Sequence, residues 1–327
     1  MASKAQIEAV AYHLPDGVES NEQLAALFPQ WDAAKIEAKT GIANRHVART
    51  DECVSDLAVK AAERLFDRVG DAVREEIDFV LLCTQTPDYL LPTTACLVQD
   101  RLGLRTSVGA LDINLGCSGY VYGLSLAKGL IETGQANRLL LLTADTYTKL
   151  LAPDDHTVRT LFGDGAAATL LRRADEAGDQ VGPFVFGTDG SGADNLIARG
   201  TGLRKPDTEG SNHLTMSGAD IFAFTLKAVP TAINQLLDNA GLTIDQVDRF
   251  VFHQANQYML EHLRKKIGIP PEKFVLALRD CGNTVSSSIP IALSDALEAG
   301  TIRSGERILL VGFGVGYSWS AAIVRWP

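Results

Sequence analysis

The chain contains two similar halves in tandem, and this duplication constrains its fold more than any other feature of the sequence. Each half has a segment of helical periodicity, residues 55–66 and residues 224–237, and each segment is followed by a short apolar strand. The strands cover residues 77–82 and 247–252, and each continues into a polar loop and another helix. The same order of elements occurs twice, which predicts two structurally related units.

The correspondence continues into the next helix of each half. Cys117 begins a helix of small residues that ends at Gly134, and Asn283 begins one that ends at Gly300, so the interval is 17 residues in both halves. A wholly apolar strand follows each of these helices. Short apolar strands that alternate with helices are typical of sheets covered by helices on both faces. We therefore predict an α/β protein.

The two units divide the chain near its middle. We predict that the N-terminal half covers residues 1–175 and contains Cys117, and that the C-terminal half covers residues 176–327 and contains His253 and Asn283. No flexible or low-complexity linker separates them, so we expect the halves to pack as one unit.

The composition excludes several classes of function. The formal net charge is −10, and an acidic protein lacks the basic field that nucleic acid or an anionic membrane surface requires. We see neither a signal peptide nor an apolar run of about 18 residues. The five cysteines are scattered without a CxxC pair, and the histidines are dispersed. These features predict a cytoplasmic protein with reduced thiols and no transition-metal site.

Cys117 is the first candidate for chemistry, since it lies where an apolar strand ends and a helix rich in Gly, Ser and Ala begins. Free backbone N–H groups and the positive end of the helix dipole favour a thiolate at such a position. The flanking Gly116 and Gly119 allow the backbone to approach a substrate closely. The alternative is an ordinary buried thiol.

His253 and Asn283 are the second and third candidates. His253 directly follows a buried strand, and ligands of α/β sheets bind at the carboxyl ends of strands. A structural histidine and a simple helix cap are the alternative interpretations of these two residues. Because Cys117 and Asn283 occupy equivalent positions, a pseudo-twofold packing of the halves would bring all three side chains to one interface. A thiolate with imidazole and carboxamide partners is typical of nucleophilic catalysis.

Six motifs stand in an order and at a spacing that together are highly specific. They are Thr86-Pro87-Asp88-Tyr89, Gly116-Cys117-Ser118-Gly119, Phe162-Gly163-Asp164-Gly165-Ala166, His253-Gln254-Ala255-Asn256, Gly282-Asn283-Thr284 with Ser288-Ile289-Pro290, and Gly312-Phe313-Gly314-Val315-Gly316. On these motifs, and over essentially its whole length, the chain resembles β-ketoacyl-acyl-carrier-protein (ACP) synthase III, a condensing enzyme of the thiolase superfamily. The resemblance implies a thiolase-like fold, in which two pseudo-twofold-related α/β halves form a five-layer αβαβα sandwich. It also implies a homodimer.

The activity implied by the resemblance is a decarboxylative Claisen condensation. Cys117 would take an acyl primer from acyl-CoA or acyl-ACP, with the backbone N–H groups of Cys117 and Val315 as the oxyanion hole. Malonyl-ACP would then lose carbon dioxide, and His253 and Asn283 would donate hydrogen bonds to the developing enolate. The carbanion would attack the acyl-Cys117 thioester and release 3-oxoacyl-ACP. No tightly bound cofactor is implied.

Three positions depart from the family pattern. The tryptophan and arginine that clasp the adenine of acetyl-CoA in this family correspond here to Lys35 and His156, although Trp31 and Arg159 lie nearby. An arginine that would contact phosphopantetheine or the carrier corresponds to Tyr258. These changes predict weaker or different recognition of CoA and leave the primer donor, CoA or ACP, open.

Other positions match residues that contact the carrier protein or the primer in the family. The carrier and phosphopantetheine positions are Lys39, Asn256, Arg264, Lys265 and Lys266. A solvated helix face is the alternative interpretation of the three adjacent cations. The primer pocket would include Phe162 and, from across the dimer, Leu91. Because Leu91 replaces an aromatic residue, the pocket could take a primer longer than acetyl.

Three other functions share parts of this pattern. An acyltransferase of the same fold would pass the acyl group of Cys117 to a hydroxyl or amine, but it depends less on an enolate-stabilising pair. A papain-like protease also has Cys, His and Asn in this chain order, but it lacks the α/β duplication. A degenerate partner subunit would not need the complete triad. The glycine clusters at 187–192 and 312–316 lack the βαβ context of dinucleotide-binding loops.

Overall fold

Two β-sheets form the centre of the protein, and each is built from one half of the chain. The computed structural model describes residues 4–28, 30–174, 180–204 and 212–327. Strands of the first sheet lie within residues 4–174 and strands of the second within residues 181–325. The predicted boundary between residues 175 and 176 lies outside the described residues, so it remains a prediction.

The strands and helices have the following bounds. The strands are β1 (Lys4–His13), β2 (Gly17–Ser20), β3 (Asn44–Val47), β4 (Phe79–Cys83), β5 (Gly109–Ile113), β6 (Arg138–Asp145), β7 (Gly165–Ala174), β8 (Val181–Thr188), β9 (Leu196–Ile197), β10 (Thr215–Met216), β11 (Arg249–Phe252), β12 (Arg307–Gly314) and β13 (Ser318–Arg325). The α-helices are α1 (Asn21–Leu27), α2 (Ala33–Thr40), α3 (Val54–Val69), α4 (Thr94–Arg101), α5 (Gly119–Glu132), α6 (His156–Arg159), α7 (Gly218–Ala240), α8 (Gln257–Ile267) and α9 (Ser288–Glu298).

The two sheets have the same topology. The first has the strand order β1-β7-β6-β4-β5, and the second has the order β8-β13-β12-β11. Strand β4 pairs with β6 in parallel in the first sheet, and β11 pairs with β12 in parallel in the second. The other strand pairs that the two sheets have in common are antiparallel. An isolated parallel bridge between Phe250 and Phe274 stands where β5 would be in the second sheet. The predicted duplication of an α/β unit is confirmed.

The helices and sheets form five layers. Helices α3 and α4 pack on the outer face of the first sheet, α5 and α9 lie between the sheets, and α7 packs on the outer face of the second sheet with α8 beside it. Successive leucines of β6 explain why the sequence of this strand is apolar throughout. Leu140 and Leu142 face the outer helices, whereas Leu139 and Leu141 face the central layer, so both faces of the strand are buried. The αβαβα arrangement is as expected.

Two helices begin later than the sequence predicts. Helix α5 begins at Gly119, two residues after Cys117, and α9 begins at Ser288, five residues after Asn283. Asn283 does not cap α9, because a short 3₁₀ turn at Val285–Ser287 separates the two and Ser287 is the cap residue. Val285 adopts a φ of 53°, a left-handed conformation that redirects the chain ahead of the helix.

Two features are missing from the described part of the chain. None of its helices has both the length and the apolar character needed to cross a lipid bilayer. Nor does it group three or more His, Cys, Asp or Glu side chains in a way that could hold a metal ion.

Candidate active site

Cys117, His253 and Asn283 line one cavity of about 170 Å³ at the junction of the two halves. Cys117 lies in the turn before α5, His253 follows the last residue of β11, and Asn283 lies in the segment that leads to α9. Their exposed fractions are 6%, 2% and 4%, so all three side chains are shielded from bulk water. The structure thus brings together a thiol from one half and an imidazole and a carboxamide from the other.

The turn between β12 and β13 closes over the nucleophile. Gly314 lies so near Cys117 that a Cβ at this position would be 2.8 Å from Cβ and 2.9 Å from Sγ of the cysteine. Only glycine allows this approach without a clash. The backbone N–H groups of Cys117 and Val315 hydrogen-bond to the sulfur and act to lower the pKa of the thiol. Two N–H groups directed at this point are suited to stabilise an oxyanion that forms beside Sγ.

The resting state of Cys117 differs from the expected thiolate. Burial, and next the nearby carboxylate of Asp145, raise the pKa of the thiol to about 12, and the two backbone N–H groups only partly offset them. Helix α5 begins two residues downstream, so Cys117 does not occupy its first turn. Cys117 is therefore a neutral thiol near pH 7.

His253 is buried, and its imidazole is neutral. Burial lowers the pKa of its imidazole to about 3. Nδ1 lies 2.7 Å from Oγ of the buried Ser288, and the edge of the ring meets the ring of Phe313 with centroids 5.5 Å apart. These contacts fix the plane of the imidazole.

The amide of Asn283 is oriented by the unusual backbone of Val285. The N–H of Val285 donates to Oδ1 of Asn283 at 3.0 Å, so the carbonyl side of the amide is already occupied. The NH₂ group is then the part of the side chain that can donate to a ligand in the cavity. An isolated bridge between Phe162 and Asn283 joins this segment to the first half of the chain.

Asp145, at the end of β6, is a buried carboxylate that the sequence did not single out. It accepts hydrogen bonds from the backbone N–H of Gln85 at 2.9 Å, the backbone N–H of Ser286 at 3.2 Å and the hydroxyl of Ser286. Burial raises the pKa of Asp145 to about 7. The residue connects the loop after β4 to the turn that follows Asn283.

The predicted carrier-docking residues differ in whether their side chains are already engaged within the protein. Arg264 is committed within its own helix end, because it pairs with Glu261 at 2.8 Å and donates to the carbonyl of Ile269 at 3.0 Å. Lys265 and Lys266 are exposed at the end of α8. They lie about 15 Å along the helix from its N-cap.

The N-cap of α8 connects this surface to the cavity. Asn256 caps the helix by accepting a hydrogen bond from the N–H of Met259 at 2.9 Å, and it also lines the cavity. Helix α2, which carries the exposed Lys39, packs against α8. Tyr258, in the first turn of α8, is exposed and contacts His262, with ring centroids 4.2 Å apart and the rings tilted by 45°.

At the expected position of the adenine clasp, an aromatic pair occupies the space. Lys35 is exposed and pairs with Asp32, but Trp31 reaches His156 with ring centroids 5.4 Å apart. Nζ of Lys39 lies 4.2 Å from the centre of the Trp31 ring. Arg159 pairs with Glu19 instead of facing this site. Trp31 precedes α2 and packs against the cluster of Leu24, Phe28 and Ile36.

The two predicted primer-pocket residues are far apart in the single chain. Phe162 is buried and lines the cavity with Cys117, whereas the side chain of Leu91 is 83% exposed and does not. Leu91 continues an exposed apolar stretch with Tyr89 and Leu90. A role for Leu91 in the pocket of a second subunit therefore remains a prediction.

Sequence reasoning missed two supporting side chains, namely Ser288 and Asp145. Ser288 belongs to one of the six motifs, but nothing in a single sequence separates it from the neighbouring serines. Asp145 carried one usable signal, because it is a charged residue at the end of a strand that is otherwise apolar.

The fold and the site together define a condensing enzyme of the thiolase superfamily: two duplicated α/β halves with a cysteine, a histidine and an asparagine where they meet. Comparisons with known proteins lead to the same class. Residues 111–190 match the family model 3-oxoacyl-ACP synthase III, and residues 237–326 match its C-terminal counterpart.

Individual relatives match over nearly the whole chain. A β-ketoacyl-ACP synthase III from Clostridium perfringens is 36% identical over 98% of this chain and 99% of the relative. Another, from Streptomyces coelicolor, is 40% identical over 96% and 95%. A crystal structure of a 3-oxoacyl-ACP synthase III superposes with a TM-score of 0.97 at 51% identity, covering 99% of this chain and 100% of that one. The chain belongs to the β-ketoacyl-ACP synthase III family.

Proposed function

We propose that the protein is an acyltransferase that condenses a Cys117-bound acyl primer with malonyl-ACP, giving 3-oxoacyl-ACP and carbon dioxide. One observation carries the proposal: a buried thiol, a neutral imidazole and an oriented carboxamide line a single cavity. A hydrolase would need water in that cavity. A condensing enzyme must exclude it, because water would hydrolyse the acyl-cysteine.

In the first step, Sγ of Cys117 forms a bond to the thioester carbon of the donor and the carbon–sulfur bond of the donor breaks. The thiol proton of Cys117 leaves with the donor sulfur, so no net proton is lost. The N–H groups of Cys117 and Val315 stabilise the tetrahedral oxyanion, which offsets the unfavourable burial of negative charge beside Asp145.

In the second step, the bond between the malonyl methylene and its carboxylate breaks, and the electron pair becomes an enolate. His253 and the NH₂ group of Asn283 donate hydrogen bonds to the enolate oxygen. A neutral imidazole suits this role, since an imidazolium would protonate the carbanion and end the reaction. The carbanion then attacks the acyl-Cys117 carbonyl, the carbon–sulfur bond to Cys117 breaks, and the departing thiolate takes up a proton from solvent.

The substrates are acyl-CoA or acyl-ACP as primer donor and malonyl-ACP as extender, and the proposed steps use no tightly bound cofactor. We propose that the carrier protein docks on Lys265 and Lys266 beside α2. We also propose a homodimer in which Leu91 reaches the partner's pocket, and a role in fatty-acid biosynthesis in the cytoplasm.

The test is a two-stage reaction. The protein is incubated with a panel of acyl-CoA and acyl-ACP donors, and the mass on Cys117 is recorded for wild type and Cys117→Ala. Malonyl-ACP is then added and the products are separated. We expect an acyl adduct on wild type only, followed by 3-oxoacyl-ACP and carbon dioxide. Transfer of the acyl group to an added alcohol or amine, without decarboxylation, would instead establish the alternative function, which is delivery of the Cys117-bound acyl group to a hydroxyl or amine acceptor.

A further inference from the structure

Ser118, the residue after the nucleophile, stands at a helix cap but does not cap the helix with its side chain. It is the N-cap of α5, a position where a serine hydroxyl ordinarily accepts a hydrogen bond from an N–H of the first turn. Within the described part of the chain, its hydroxyl accepts no such bond. The backbone of Ser118 has helical angles, φ −89° and ψ −11°, instead of the extended conformation of a capping residue. The hydroxyl is therefore available for another contact.

This contact is made with the strand that follows the turn of Val315. Oγ of Ser118 lies 2.6 Å from Oγ of Ser318, the first residue of β13, and both side chains are buried. We call this hydrogen bond the serine link. The hydroxyl of Ser320, two residues further along β13, donates to the carbonyl oxygen of Ser118 at 3.0 Å. The residue after Cys117 is therefore bonded to the start of β13 by its side chain and by its backbone.

The serine link joins the two segments that carry the oxyanion hole. One N–H belongs to Cys117 and the other to Val315, three residues before Ser318. Strand β12 brings these segments close, since a Cβ at Gly312 would be 2.6 Å from Cα of Ser118 and 2.7 Å from the carbonyl oxygen of Cys117. Van der Waals contact has little directional preference, whereas a hydrogen bond restricts both distance and angle. The serine link therefore adds a directional restraint to the packing.

We propose that Ser118 and Ser318 are positioning residues for the oxyanion hole, and that the serine link sets the spacing of its two N–H groups. The inference rests on the proposed function, because the oxyanion hole acts only when an acyl group moves to or from Cys117. Neither serine lines the catalytic cavity, so each acts through the backbone of its own segment. An oxyanion is fully stabilised only when both donors lie within about 3 Å of it. Loss of the serine link should therefore slow acylation and condensation alike.

The experiment is a double-mutant cycle with wild type, Ser118→Ala, Ser318→Ala and the double variant. Each single replacement should lower the rate constants of acylation and of condensation by about 10-fold and leave the KM values unchanged. The loss is smaller than for removal of an oxyanion donor, because the Ser320 bond and the packing at Gly312 remain. Since both hydroxyls act through one hydrogen bond, the double variant should be no slower than either single variant.

Thr169→Val is the matched control. The hydroxyl of Thr169, on β7, forms a comparable buried pair with the hydroxyl of Tyr120, which is 3.2 Å away on α5. The valine variant also removes a buried hydrogen bond from α5, but it leaves the serine link intact. Its melting temperature should fall, whereas both of its rate constants should stay at the wild-type values. Thermal unfolding of every variant is recorded beside the kinetics.

The outcomes separate the two claims. If no donor labels wild type, the proposed function is wrong and the inference with it. If wild type is labelled and the alanine variants keep its rate constants, only the inference is wrong. A further 10-fold loss in the double variant, or equal slowing in Thr169→Val, would also refute the inference, because the hydroxyls would then act separately or through the stability of α5. Where one alanine variant does not fold, the other still tests the slowing.

Discussion

The hydroxyl of Ser288 lies 2.7 Å from Nδ1 of His253 and 3.0 Å from the carbonyl oxygen of Val285. It has one proton, and the choice of acceptor decides the tautomer of the imidazole. When Ser288 donates to Nδ1, the ring carries its proton on Nε2 and can donate into the cavity. When Ser288 donates to Val285, Nδ1 keeps the ring proton and Nε2 is only an acceptor. The proposed condensation requires the first arrangement.

Replacement of this hydroxyl should therefore affect one half-reaction only. In Ser288→Ala we expect condensation with malonyl-ACP to slow by about 10- to 100-fold, since the imidazole loses its tautomer preference and one buried partner. Acylation of Cys117 should be nearly unchanged, because it does not use His253 as an enolate donor. Rapid-quench measurements of each half-reaction test this, and Ser288→Thr should restore the rate. Equal losses in both half-reactions would show a merely structural role.

The close contact at Gly314 makes a second prediction. In Gly314→Ala the new methyl group would meet Cys117, so the turn that presents the Val315 N–H must shift. We expect both half-reactions to fall by about 100-fold, the usual effect of losing one oxyanion donor. Gly129→Ala is the control, because a Cβ there meets nothing within 4 Å and should only strengthen α5. Full activity in Gly314→Ala would remove Val315 from the oxyanion hole.

The neutral state of His253 has a consequence for stability at low pH. The pKa of its imidazole is about 3 in the folded protein and 6.5 as the ordinary value, so between these values the unfolded chain binds a proton that the folded chain does not. Stability attributable to His253 is therefore present above pH 6.5 and is lost as the pH falls toward 3. Between pH 7 and pH 5, His253→Gln should lose less unfolding free energy than wild type in denaturant titrations. His262→Gln, at an exposed site, should follow wild type; a parallel loss in His253→Gln would contradict the assignment.

Carrier docking should depend on Lys265 and Lys266 more than on Arg264. Reversal of both lysines to Glu should raise the KM for malonyl-ACP several-fold, since an acidic carrier must approach an acidic protein through local cations. Acylation of Cys117 by a CoA donor should stay intact. Arg303→Glu, at another exposed cation, is the control for each single lysine reversal, because it changes the net charge by the same amount. If reversal of both Lys265 and Lys266 leaves the KM for malonyl-ACP unchanged, the carrier binds elsewhere.

The contact between Trp31 and His156 predicts slow use of CoA. A planar base could stack between Trp31 and His156 only if these rings, whose centroids are 5.4 Å apart, moved away from each other. Acetyl-ACP should therefore acylate Cys117 faster than acetyl-CoA, and intact-mass time courses compare the two directly. Equal or faster labelling by acetyl-CoA would refute this expectation.

The sequence predicted the repeated units and the order of their elements well, because short apolar strands and amphipathic helices leave strong periodic signals. The starts of α5 and α9 were placed too early, since the turns that carry Cys117 and Asn283 depend on contacts with the other half. The prediction of a thiolate at Cys117 was wrong for a related reason. Burial between the halves and the charge of Asp145 cannot be inferred from neighbours along the chain. Contacts between side chains of separate segments, such as the ring of Tyr147 on the ring of Phe162, leave no local pattern in the sequence.

Asp145 couples the stability of the two halves of the molecule. One carboxylate accepts hydrogen bonds from Gln85, in the loop that follows β4, and from Ser286, in the turn that follows Asn283. These hydrogen bonds join a segment of each half, so local unfolding of one half would also disturb the other. Heating should abolish catalysis and cooperative structure at the same temperature. We therefore expect the two duplicated halves to unfold together, as one cooperative unit.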